Sequence, residues 1–92
     1  MKYNVQHNIA EKRFEIIVDN LISIVDYSIE PNGSLKITHT EVPKQLEGKG
    51  IAASLTKAIL NYARDCSLKV RPICPYTKAY IERKPEYKEL VE

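Results

Sequence analysis

Only two of the 92 residues are cysteine, Cys66 and Cys74, none is tryptophan, and Phe14 is the single phenylalanine. Two cysteines are too few for a disulfide framework. With His7 and His39 scattered elsewhere they show no zinc-ligand spacing, so both are read as reduced thiols and no metal is required. Few aromatic rings are available to stack bases, which argues against a small RNA-binding sheet using Gly48-Lys49-Gly50 on a nucleic-acid backbone. No apolar run approaches a membrane span, and Met1-Lys2-Tyr3-Asn4 leads into no signal-peptide core; a cytoplasmic protein with no membrane partner is the expectation. Runs of like charge are missing as well. The 14 basic and 12 acidic residues are spread along the chain for a net charge of +2, which predicts no nucleic-acid partner but suits a small anionic ligand such as a nucleotide or CoA.

Set against these absences are 43% apolar and 28% charged residues, the mixture of a chain that folds. A chain this short builds one core, so a single domain spanning residues 1–92 is expected.

From Lys12 onward Arg13-Phe14-Glu15-Ile16-Ile17-Val18 is rich in strand formers, and Asp19-Asn20 tolerates the left-handed backbone of a hairpin turn. The returning strand, residues 21–29, alternates a more apolar face of Leu21, Ser23, Val25, Tyr27 and Ile29 with the other four side chains. Pro31-Asn32-Gly33 supplies the next turn. A third strand over residues 35–42 sets Leu35, Ile37, His39 and Glu41 on one face, with Lys36, Thr38, Thr40 and Val42 on the other, before Pro43 ends it. Residues 3–7 offer a further short strand. The one long helical pattern places Ile51, Leu55, Ala58, Ile59, Tyr62 and Ala63 on a stripe, ending near Cys66. Residues 68–71 then read as a short strand stopped by Pro72, completing a parallel, right-handed βαβ unit. Residues 75–83 and 85–91 each begin with proline, which favours a helix's first turn.

Gln45-Leu46-Glu47-Gly48-Lys49-Gly50 lies between a strand and the main helix, where outward-pointing amides and the helix dipole favour an anion. Two glycines allow close backbone approach and nest-forming dihedrals, and Lys49 adds charge. GxxxxGK[ST] is absent and Ala53 stands where GxGxxG needs its third glycine, which excludes the familiar nucleotide-hydrolase and dinucleotide loops. On glycine statistics alone the pair serves a tight turn about as often as a ligand.

The loop matches the Q/R-x-x-G-x-G/A signature, and together with His39-Thr40-Glu41-Val42-Pro43, Gly48-Lys49-Gly50-Ile51-Ala52, Pro72-Ile73-Cys74-Pro75-Tyr76 and Pro85-Glu86-Tyr87 it resembles the GNAT superfamily of acetyltransferases, in its minimal single-domain YjdJ-like branch. The resemblance covers nearly the whole chain. It implies an α+β acyl-CoA N-acyltransferase fold: a mostly antiparallel sheet with a C-terminal parallel βαβ unit and two short terminal helices. It further implies acetyl-CoA as cosubstrate, its pantetheine arm held near Val42 and its pyrophosphate at Gln45, Leu46, Glu47, Gly48, Lys49, Gly50 and Ile51. Cys74 is the implied catalytic residue and His39 its candidate partner.

Cys74 directly precedes Pro75, which predicts a helix N-cap, a position that biases a thiol toward thiolate on the rim it shares with the glycine loop. Such a thiol accepts the acyl group or protonates departing CoA; the residues do not choose. The bland alternatives are a packed cysteine and a packed histidine beside Leu35 and Ile37. Cys66, at the end of the long helix, is assigned to packing. Larger members of the superfamily carry a tyrosine acid where this chain has Ile81, with Tyr80 and Tyr76 nearby, and Lys84 replaces a histidine common in related chains. The reading is acetyl transfer from acetyl-CoA to an unidentified amine by a monomer or weak homodimer; the alternative is a non-catalytic module that binds CoA or acyl-CoA.

Overall fold

The computed structural model describes residues 3–92. Five strands, β1 (Gln6–Asn8), β2 (Arg13–Val18), β3 (Leu21–Ile29), β4 (Leu35–Glu41) and β5 (Val70–Pro72), form one sheet in that order. The first four are antiparallel and β5 joins β4 in parallel. The β2–β3 connection is the two-residue hairpin that the sequence predicts. Asp19 (φ 52°) and Asn20 (φ 64°) both take positive φ, the dihedral signature of a type I′ turn whose twist matches the strands it joins.

Helix α1 (Ile51–Asp65) makes the crossover from β4 to β5 and packs on β2, β3 and β4. Its buried side chains Ile51, Leu55, Ile59 and Ala63 recur at intervals of four and lie in one core with Phe14, Ile16, Val25, Tyr27, Leu35 and Ile37. Each fully buried Leu or Ile contributes roughly 1.5–3 kcal/mol. Helix α2 (Pro75–Arg83) packs on β5 and α1, and residues Pro85–Leu90 wind as a 3-10 helix against both helices. That last segment is helical as expected but tighter and one residue shorter. No helix among the described residues is long and apolar enough to cross a membrane.

Strand β5 runs Val70–Pro72 rather than over residues 68–71, with Pro72 inside it, and two expectations about side-chain placement are corrected. Strand β4 does not alternate throughout. Tyr27 pairs with Ile37 and Asp26 with His39, so Thr38 has no counterpart on β3 and forms a bulge. One extra residue exchanges the faces of everything beyond it. His39 therefore leaves the face of Leu35 and Ile37 and is exposed on the outer face beside Glu41, while Thr40 turns inward opposite buried Val25. Cys66 is exposed rather than packed. Helix α1 stops at Asp65, and Ser67 in left-handed conformation (φ 58°) turns the chain away before the apolar stripe reaches that residue.

Candidate functional site

The site is a fork in the sheet. Strands β4 and β5 pair only at Leu35↔Val70, Lys36↔Arg71 and Ile37↔Pro72. At the crotch the Ile37 carbonyl accepts the amides of both Ile73 and Cys74, each at 3.0 Å. Beyond it the bulge carries β4 one way and Pro75, with no N–H to give, starts α2 the other.

On the β4 side a 3-10 turn, Lys44–Leu46, follows Pro43, and Leu46 is anchored in the core. The amides of Leu46 and Glu47 are used locally, donating to Pro43 and Lys44 carbonyls. Gly48 (φ 81°) and Gly50 (φ 78°) are then left-handed, and Gly50 is the N-cap of α1 without any side-chain cap. Among the described residues, the amides of residues 48–53 have no acceptor in the protein. Tyr3 fixes the outer side of the loop by donating its hydroxyl to the Lys49 carbonyl at 2.6 Å. Against these amides lies a cavity of about 240 Å³ lined by Val42, Leu46, Glu47, Gly48, Gly50, Ile51, Ala52, Ala53 and Tyr76. Free amides, a helix N-terminus and adjacent space fit a phosphate-bearing ligand.

The structure thus gathers Val42, Leu46, Glu47, Gly48, Gly50 and Ile51 around one space, and leaves the side chains of Gln45 and Lys49 exposed beside it. Ala52, Ala53 and Tyr76 are additions. The two alanines follow from the small residues at the start of α1, and Tyr76 from its place two residues after Cys74.

Cys74 is buried, 5% exposed, at the N-cap of α2 as its sequence position predicts. Its sulfur lies 3.5 Å from Thr40 Oγ1. Burial pushes the thiol pKa up, yet the Thr40 hydroxyl, the Thr77 and Tyr76 amides and, least, the Thr77 hydroxyl together outweigh it and leave the pKa below the ordinary thiol value. No charged side chain is among the groups acting on it. Sequence reading missed Thr40 because its inward orientation exists only through the bulge. His39 is not brought to the sulfur: its Nε2 lies 3.2 Å from Glu41 Oε1 on the outer face, both side chains well exposed.

The chain as a whole is similar to known proteins. The sequence profile described as GCN5-related N-acetyl-transferase matches residues 13–90. Protein NATD1 of Homo sapiens is 28% identical over 83 residues, covering 88% of this chain and 74% of that protein. Protein NATD1 of Xenopus tropicalis is 26% identical over 83 residues, with 88% and 76% covered. The solution structure of a GCN5-like protein from Staphylococcus aureus superposes with a TM-score of 0.77 at 27% identity, spanning 98% of this chain and 88% of that one. Profile and fold agree, and the chain belongs to the GCN5-related N-acetyltransferase family of acyltransferases.

Proposed function

We propose that this protein is a single-domain N-acetyltransferase that moves an acetyl group from acetyl-CoA to an amine. The observation that carries the reading is the row of unpartnered amides at residues 48–53 beside the cavity that Val42 and Tyr76 also line. The cosubstrate's pyrophosphate would be held by those amides, with Gln45 and Lys49 flanking it and the pantetheine arm running along Val42 toward the fork. Cys74 is the proposed acyl acceptor. Its thiolate form is favoured by surrounding donors, which suits a nucleophile. The sulfur bonds to the thioester carbon as the carbon–sulfur bond to CoA breaks and CoA leaves as thiolate. The acceptor's neutral amine then attacks the acyl carbon and expels the Cys74 thiolate. The proton that the nitrogen must lose goes to solvent water, because His39 stands with Glu41 on the opposite face of the sheet, away from a nitrogen bonded to the acyl carbon on Cys74.

Calorimetric titration with CoA, acetyl-CoA and adenosine diphosphate, followed by intact mass measurement after mixing with acetyl-CoA alone, tests this. CoA binding tighter than that of adenosine diphosphate and one acetyl group on Cys74 are expected. Equal affinity for all three would remove the pantetheine site. Acetyl transfer to amines that persists unchanged in Cys74→Ser would remove the covalent step, and binding without any transfer would leave a CoA-binding module.

A further inference from the structure

Two fully buried threonines lie in helices, and they behave differently. Thr56 in α1 does what a helical threonine ordinarily does, donating to the carbonyl four residues back, Ala52, at 2.8 Å. Thr77 in α2 is equally inaccessible, yet its Oγ1 has no hydrogen-bond partner. A buried hydroxyl left unpaired is unfavourable, so its persistence calls for an account.

The surroundings supply one. Thr77 is three residues after Cys74, in the first turn of α2, where its own amide and that of Tyr76 are among the groups acting on the sulfur along with the Thr77 hydroxyl. In the resting geometry the Cys74 side chain caps neither amide and the Thr77 hydroxyl is unpaired. The one formed contact is that of Thr40 across the fork. The sulfur is therefore ringed by donors of which most are unengaged. A neutral thiol is a weak acceptor and does not draw them in, whereas a thiolate accepts several hydrogen bonds.

We infer that Thr77, together with Thr40, forms a donor seat at the fork that is completed only when the Cys74 sulfur carries negative charge, which makes Thr77 a positioning residue for the proposed transfer. The seat rests on the reading of Cys74 as the reacting group. It acts in both half-reactions, holding the sulfur as an anion before it attacks and again when the amine expels it. Holding Oγ1 unpaired in the resting protein costs stability, and the same hydroxyl repays that cost in the charged state. The functional and structural roles consequently predict opposite outcomes for a single substitution.

In a Cys66→Ser background, where Cys74 is the only thiol, the thiolate's ultraviolet absorbance is followed against pH without any CoA present. Thr77→Val removes the hydroxyl but keeps the shape. It is expected to unfold at the same or a higher temperature than the parent while its thiolate appears about one pH unit later, the worth of one hydrogen bond to a charge. Thr77→Ser, which retains the hydroxyl, should titrate as the parent does, and Thr40→Val should move in the same direction as Thr77→Val. If Thr77→Val fails to fold, Thr77→Ala compared with Thr77→Ser decides the matter in the same way. Unchanged titration in the hydroxyl-less variants, or a parent whose Cys74 does not ionise before the protein unfolds at high pH, overturns the seat. A shifted titration in a protein that never forms acetyl-Cys74 leaves the seat standing and refutes the transfer reading instead.

Discussion

The three glycines of the chain form a matched set for testing the loop. Gly33, Gly48 and Gly50 all have φ between 78° and 91°, and a Cβ added to any of them meets nothing within 4 Å. Alanine at each position therefore carries no clash, only the left-handed penalty of roughly 1–2 kcal/mol. What differs is where that penalty is felt. Gly33 turns the β3–β4 hairpin, away from the cavity, and Gly50 is held by the start of α1. Both alanine variants should lose stability, a fall in Tm of roughly 5–15 °C for a domain of this size. Gly48 sits in the loop itself, which can relax out of the left-handed region when no ligand demands it. Relaxation spares the Tm, but the strain returns on binding, so the affinity for CoA should fall by roughly 5–30-fold. Thermal melts and calorimetry on the three variants separate these terms. Gly33→Ala should bind CoA like the parent despite its lower Tm. Should Gly48→Ala also bind like the parent, whatever its Tm, the amides of this loop do not hold the ligand and the argument for the site is refuted.

Other expectations are simpler to state. Ser23 Oγ on β3 is a second fully buried hydroxyl without a partner; Ser23→Ala should raise stability by about 1 kcal/mol, read as a Tm several degrees higher. His39→Ala should leave both formation of acetyl-Cys74 and transfer to the amine unchanged in rate, because the imidazole lies on the face away from the sulfur; slowing of the second half-reaction alone would make the histidine its base. His7 is stacked on Phe14 with ring centroids 4.1 Å apart and bonded to the Tyr27 hydroxyl at 2.6 Å, and burial lowers its pKa below 6.5. The unfolded chain thus takes up this proton first, so its contribution to stability is intact above about pH 6.5 and declines as pH falls toward the folded-state value. Urea melts from pH 8 to pH 5 should show that decline in the parent and a flatter profile in His7→Phe.

Much of this architecture was legible because it depends on neighbours in sequence. The Asp19-Asn20 turn, the fourfold spacing of Ile51, Leu55, Ile59 and Ala63, and the proline after Cys74 are local signals, and each produced the element expected of it. The loop was legible for the same reason, since glycine dihedrals and free first-turn amides belong to one short segment. Apart from Cys66, what escaped depends on partners far along the chain. Thr38 is unremarkable as a residue type, and its bulge is defined by the register of β3 against β4. Thr40 and Cys74 are 34 positions apart, and their contact depends on that bulge together with the entry of α2. Cys66 lies at the right spacing for the buried stripe, and only the left-handed Ser67 reveals that the helix has already ended.

The bulge at Thr38 gives the proposed chemistry its geometry. A strictly alternating β4 would send His39 toward the core beside Ile37 and turn Thr40 away from Cys74. An imidazole in that place would bury a titratable ring against the apolar core, where desolvation disfavours its protonated form. With the extra residue, the histidine stands in water next to Glu41, and the sulfur lies on the other side of the sheet with Thr40 beside it. The imidazole and the sulfur are thereby kept on opposite faces of one fork, so a charge on the histidine does not draw the thiolate out of its donors. A single inserted residue also ends the β4–β5 pairing near the same level, opening the sheet where the thioester would have to enter. Separation of the two side chains and access between the strands share one structural cause.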